Sequence, residues 1–415
     1  MKLTAKRSFI KTFFAMALAA VLCLGGLTTA FAAGTPIEGS AATLKKVLQM
    51  PEGTQTPAAT FRFTFEKVSL NNESGTDALA DMPALAEQSI TFSAGDNGNT
   101  ANRMKTVSKE SSDIFAGITW PSPGVYTYTL TETQDTYSIA DPNLETMDYS
   151  HAEYEINAYV TNGENGPELT SISAVIKQKD DSQDDTVAVG DKVDPTPGSS
   201  TMVFTNTYTK ISGNGTVANG GLTVSKTVAG DMGSTALYFP FTIKTTAAAT
   251  QSGTVTYKAY LLEDGAVIDP TADNGSFTTG NDGTNEYIVV TAGTALSINL
   301  KHNQKLVFAD LPVGARYTAT ESPTANYAPS INLTANGGAS EVGNTTVNVS
   351  LSTDEQLIGE GANSAAFINT FDTSITPTGI SLNDLPFITM IVLAAGALVL
   401  FAVVKSRRRA DANHR

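Results

Sequence analysis

A lysine, a glutamate and an asparagine recur in the same order twice along this 415-residue chain, each on a face that should be apolar. In a strand, alternate side chains share a face. In TLKKVL (43–48), Lys46 therefore lies in a row with Leu44 and Leu48, while Lys45 points the other way. In VYTYTLTE (125–132), Glu132 ends the row Tyr126, Tyr128, Leu130. In FTNTY (204–208), Asn206 stands between Phe204 and Tyr208. The second set is Lys226 in GLTVSKTV (221–228), Glu321 in ARYTATE (315–321) and Asn369 in FINTF (367–371). The Lys-to-Glu separations are 86 and 95 residues and the Glu-to-Asn separations 74 and 48, so order and parity persist while loop lengths vary.

Burial decides what such a triple can do. Desolvation disfavours charge, so a core lysine gives up its proton more readily and a core glutamate keeps one. A neutral amine is a nucleophile. A neutral carboxylic acid can hydrogen-bond the asparagine carbonyl, polarise it and pass protons to the departing nitrogen. Attack of the amine on the carboxamide releases ammonia and leaves an amide between the two side chains. The alternative is a buried, hydrogen-bonded Lys–Glu–Asn network that never reacts, which would put two polar clusters into cores for no gain.

Strands must position these residues. The chain is rich in Thr, Gly and Asn, with short alternating runs between turn clusters, which points to all-β sandwiches. It is too long for one such core. TKISGNGTVANGG (209–221) is a polar, Gly-rich seam between two well-patterned regions. The expected division is a first domain over 33–209 and a second over 210–372, each opening on its Lys strand and closing on its Asn strand.

The two ends read differently. Residues 1–32 form a signal peptide: a basic start (Lys2, Lys6, Arg7, Lys11), an apolar run from Phe13 to Leu27, and Ala30-Phe31-Ala32 at the cleavage site. Cys23, the one cysteine, lies inside it, and Val21-Leu22 before it are too bulky for a lipoprotein signal. The mature chain therefore has no disulfide and no thioester. Residues 373–415 hold ITPTG (375–379), an uncharged apolar span over 385–404 and the basic KSRRR, which by the positive-inside rule stays in the cytoplasm.

Composition excludes several functions. The formal net charge is −15, so nucleic acid is not an expected partner. With three His in the chain, no His-based metal site or hydrolytic triad is expected. No phosphate or dinucleotide loop occurs. DPTADNGSFTTGNDG (269–283) lacks EF-hand spacing and reads as a turn cluster rather than a calcium loop. No cofactor or metal is expected.

The C-terminal order, a Pro-Thr-Gly pentapeptide followed by an apolar span and a basic tail, resembles a Gram-positive cell-wall sorting signal of LPxTG type. GVYTYTLTE, MVFTNTY and TLKKVL resemble the amino-terminal domain of streptococcal-type major pilins. LTVSKTV, DLPVGARYTATE and AFINTF resemble CnaB-like pilin domains. The resemblance implies two tandem immunoglobulin-like sandwiches with self-formed isopeptide bonds, Lys46 to Asn206 assisted by Glu132 and Lys226 to Asn369 assisted by Glu321. It implies that a sortase recognises Ile375, Thr376 and Pro377, cuts between Thr378 and Gly379, and passes the Thr378 carboxyl to an amine. The acceptor in such a polymer stands shortly before the first domain's closing strand, where Lys192 lies in a Gly-, Asp- and Pro-rich stretch expected to be exposed and mobile; Lys177, Lys179 and Lys210 are the other candidates. On this reading the protein is the major shaft subunit of a surface pilus on a Gram-positive bacterium. It is no enzyme beyond the single turnover on itself, and its partners are the sortase, copies of itself, minor pilins and peptidoglycan. The alternative is a monomeric wall-anchored adhesin or stalk that binds a host ligand.

Overall fold

The computed structural model describes residues 37–180, 187–272, 274, 277–371 and 385–412. The expected signal peptide over 1–32 and the expected sorting pentapeptide 375–379 lie outside these described residues.

The first domain comprises β1 (Ile37–Glu38), β2 (Lys45–Pro51), β3 (Ala59–Leu70), a short helix α1 (Thr76–Ala80), β4 (Gln88–Phe92), β5 (Asn99–Ala101), β6 (Met104–Glu110), β7 (Gly124–Glu132), β8 (Glu145–Asp148), β9 (Glu153–Gly163), β10 (Gly166–Gln178), β11 (Lys192–Val193) and β12 (Val203–Lys210). One sheet runs β1-β10-β9-β7-β3-β4 with β11 on β10; the other runs β5-β6-β2-β12-β8. The first long strand and the last, β2 and β12, are parallel neighbours. The alternation read from the sequence is the alternation of burial: Tyr126, Tyr128 and Leu130 on β7 and Phe61 and Phe63 on β3 meet Leu48 and Phe204 from the other sheet in one apolar core.

The second domain comprises β13 (Leu222–Ala229), β14 (Phe239–Thr246), β15 (Thr256–Glu263), β16 (Ala266–Val267), β17 (Thr279–Asn281), β18 (Glu286–Thr291), β19 (Ala295–Leu300), β20 (Gln304–Phe308), β21 (Arg316–Glu321), β22 (Tyr327–Ala335), β23 (Gly338–Gly343), β24 (Leu351–Ser352), β25 (Gln356–Leu357) and β26 (Ser364–Phe371). Its sheets run β17-β18-β15-β20-β13-β26-β22-β23 and β19-β14-β21-β24. Again the first and last strands, β13 and β26, are parallel neighbours, and again one core fills the space between the sheets. Both domains are immunoglobulin-like sandwiches.

The seam is pinned at its start. Ile211 N–H donates to Leu144 O at 2.7 Å, Ser212 N–H to Leu311 O at 2.9 Å, and Val313 N–H to Lys210 O at 2.8 Å. Further on, Val217 packs on a small apolar cluster of Tyr260, Leu262, Val307 and Ala309 on the outer face of the second domain. Beyond the sandwiches, α2 (Leu385–Ala412) is a helix of 28 residues. Its segment Thr389–Ser406 is long and apolar enough to cross a membrane, and side chains such as Leu393, Leu398 and Phe401 are exposed.

Candidate functional site: two buried Lys–Glu–Asn clusters

The parallel ladders set the geometry. In the first domain Lys46 is opposite Phe204, and Asn206 is opposite Leu48. In the second Lys226 is opposite Phe367, and Asn369 is opposite Val228. In both, the asparagine stands two residues past the lysine's ladder partner, on the same face. The glutamate comes from the facing sheet, where Glu132 is opposite Phe63 and Glu321 opposite Phe241.

Those phenylalanines close the site. Phe63 meets Phe204 with ring centroids 5.0 Å apart, and Phe241 meets Phe367 at 5.0 Å. Two residues earlier on the same strands, Phe61 and Phe239 lie under the amines, with Lys46 Nζ 4.7 Å and Lys226 Nζ 4.2 Å from the ring centroids. Each triple thus sits in an aromatic box supplied by an F-x-F strand: FRF on β3 and FPF on β14. Sequence reasoning missed these four rings. The signal was there, as one alternating aromatic pair following each Lys strand.

All six polar residues are buried, the most exposed being Glu132 at 5%. Lys46 Nζ donates to Glu132 Oε2 at 2.7 Å and to Asn206 Oδ1, and Asn206 Nδ2 donates to Glu132 Oε1 at 2.8 Å. The three side chains form a closed ring. In the second domain Lys226 Nζ donates to Glu321 Oε2 at 3.1 Å and Asn369 Nδ2 donates to Glu321 Oε1. Here the ring is open: among the described residues Asn369 Oδ1 has no hydrogen-bond partner.

Desolvation dominates the electrostatics. It pulls both amines from the usual lysine range down to about 8, against the opposing pull of Glu132 or Glu321. It raises both carboxyls, again against the lysine's attraction. Both shifts favour the neutral amine and neutral acid that amide exchange requires.

Residues 42–209 match the family described as the Spy0128-like isopeptide containing domain. Residues 220–370 match a domain of unknown function, DUF7601. The second triple therefore lies in a region whose matching family model names no chemistry, and it shares the register of the first. No curated protein matches the chain. Among solved structures, a major pilin from Streptococcus pyogenes is 18% identical, covering 81% of this chain and 99% of its own, at a TM-score of 0.33. The major pilin T3.2 of S. pyogenes serotype GAS13637 is 20% identical, covering 80% of this chain and 99% of its own, at a TM-score of 0.31.

The candidate acceptor lysines fall elsewhere. Lys192 is not in a loose exposed loop. It is half-buried in β11, paired with Val175 of β10. The cause is a local turn: Gly190, at φ 94°, lets its N–H reach Ile176 O at 2.9 Å while Ile176 N–H reaches Asp191 O at 3.0 Å, which folds the segment onto the sheet. Lys177 pairs with Glu155 at 3.0 Å, and Lys210 pairs with Glu360 at 3.0 Å. Lys179, just past the end of β10, is also engaged.

Proposed function

We propose that this protein is a structural subunit of a covalently built surface pilus, its major shaft subunit, whose two sandwiches are each locked by a self-formed Lys–Asn bond. The observation that carries this reading is the pair of buried Lys–Glu–Asn clusters in one shared register, in two domains whose loops differ in length. The match of residues 42–209 to an isopeptide-containing family supports the first bond. The resemblance of the solved major pilins supports the pilus context only as a fold. The apolar helix α2 supports retention at a membrane until a sortase acts between Thr378 and Gly379.

The reaction balances within each cluster. The neutral lysine Nζ attacks the asparagine Cγ, the Cγ–Nδ2 bond breaks, and ammonia leaves. The proton shed by Nζ reaches Nδ2 by way of the glutamate, which ends as it began. The intact mass of residues 33–378 decides the matter: the expected value is two ammonias below that of the sequence. Glu132→Ala should restore one and Glu321→Ala the other, whereas an unmodified wild-type mass would leave two inert polar networks. Wall extracts should show a ladder of multimers joined from Thr378 to a lysine. A single wall-linked band would return the adhesin alternative.

A further inference from the structure

The two clusters differ in what surrounds the carbonyl oxygen that is attacked. In the first domain, the main-chain N–H of Ser150 donates to Asn206 Oδ1 at 2.7 Å. Ser150 lies between β8 and β9, where the chain has left the ladder beside β12; the last paired residue there is Asp148. Its N–H is therefore free to turn inward. The segment is fixed by Asp180: Ser150 Oγ donates to Asp180 Oδ2 at 2.6 Å, and the N–H of Thr205, the residue before Asn206, donates to the same oxygen at 2.8 Å. Ser150 and Asp180 are both buried. One carboxylate oxygen thus ties the donor segment to the strand that carries the reacting amide.

The described residues of the second domain hold no such arrangement. There β22 continues as a paired strand past the site, and the residue opposite Asn369 is Pro329, which has no N–H to give. Among the described residues Asn369 Oδ1 is buried without a donor.

We propose that the Ser150 main-chain N–H is an oxyanion donor for the first bond, that Asp180 is its positioning residue, and that the second domain, lacking both, links more slowly. The inference rests on the isopeptide reading above. When Lys46 Nζ adds to Cγ of Asn206, the carbonyl π pair moves onto Oδ1, and that oxygen carries the negative charge until Cγ–Nδ2 breaks and ammonia departs. A fixed donor aimed at this oxygen stabilises the charge as it develops. Loss of one such donor slows acyl-transfer enzymes by roughly 100-fold or more, which sets the scale for the difference between the two domains.

The test is the time course of the two linked peptides after pulsed synthesis of the full chain in a cell-free system, quantified by digestion and mass spectrometry. The Lys46–Asn206 peptide should be complete while Lys226–Asn369 is still accumulating. Asp180→Ala should slow the first bond at least tenfold and leave the second unchanged. Asp180→Asn keeps a carbonyl oxygen that can accept from both Ser150 and Thr205, and it should restore a near-wild-type rate. A merely structural role would lower the stability of both variants without this rescue of rate. Equal rates for the two bonds in the wild-type chain, or an unchanged first bond in folded Asp180→Ala, overturn the inference alone. If Asp180→Ala fails to fold, the wild-type comparison and Asp180→Asn still decide: a first bond no faster than the second, or an Asn variant as slow as the second domain, overturns it. Absence of both linked peptides from the wild type overturns the isopeptide reading, and this inference with it.

Discussion

At the scale of single residues, the proposed reaction depends on keeping one proton inside each site, away from water. The reactive form, amine plus acid, carries the same proton count as the ion pair Lys46–Glu132, so the two are tautomers of one state. Above about pH 8 the pair has lost its shared proton, so the carboxyl is no longer the neutral acid that polarises the amide at the start of the attack. Below the raised carboxyl range a second proton is held and the amine is an ammonium. The rate of linkage should therefore fall on both sides, with its alkaline limb near pH 8 in both domains, as read from newly made chains shifted between buffers. A rate that rose steadily from pH 7 to 10 would mean that deprotonated lysine alone suffices. Phe61 and Phe239 belong to the same balance. Replacing either by Ala opens the box and costs roughly 3–5 kcal/mol of core packing, with slower linkage in that domain alone by mass. The six clustered polar positions were legible from period-two rows, because a Lys, Glu or Asn breaks an apolar row visibly. Ser150 and Asp180 were not legible: the donor is a main-chain N–H, which every non-proline residue has, and Asp180 gains its role from a fold that returns it to residue 205.

At the scale of elements, the register is what the sequence could not show. The strand runs around 45 and 206 were readable, and so was their order along the chain. That β2 and β12 lie side by side, in parallel, depends on a pairing across 160 residues that no local pattern encodes. Lys192 teaches the opposite lesson. Its neighbourhood has loop composition, but two backbone hydrogen bonds around Gly190 are enough to make it a short strand on β10. In each domain the proposed bond joins the first strand to the last and closes nearly the whole sandwich. Loop entropy of that size is worth roughly 5 kcal/mol. Lys226→Ala should lower the melting transition of the second domain by calorimetry while leaving the first transition in place. Coincident wild-type and variant melts would deny the link any part in stability.

At the scale of the whole molecule, the join between sandwiches is polar and local. Glu360 accepts from Lys210 Nζ at 3.0 Å and from the Gln55 N–H at 2.8 Å, and Arg316 pairs with Glu52 at 2.6 Å. Half-exposed pairs of this kind contribute about 0.2–1 kcal/mol each and weaken in salt. Close backbone contact does more: a Cβ on Gly314 would come 2.4 Å from the Pro51 Cβ, at a φ of +87° that side chains avoid. Gly314→Val should splay the domains and broaden the small-angle scattering profile, with both internal bonds still formed by mass. An unchanged profile would mean that the seam at Ile211 and Ser212 holds the join alone. The parallel pairing of first and last strands has one more consequence. A chain that comes in along β2 and goes out along β12 leaves the sandwich at the end opposite its arrival, and so does a chain passing from β13 to β26. If a bond joins Lys46 to Asn206, a pull on the two ends passes from one strand straight into the other, and β3 to β11 bear none of it. Held in a force spectrometer, the wild-type chain should stretch only in the segments outside the two bonds. Glu132→Ala should add one rupture that releases the 160 residues between Lys46 and Asn206, a step of roughly 500 Å. The folded domain then becomes cargo on an inextensible line rather than a link in it.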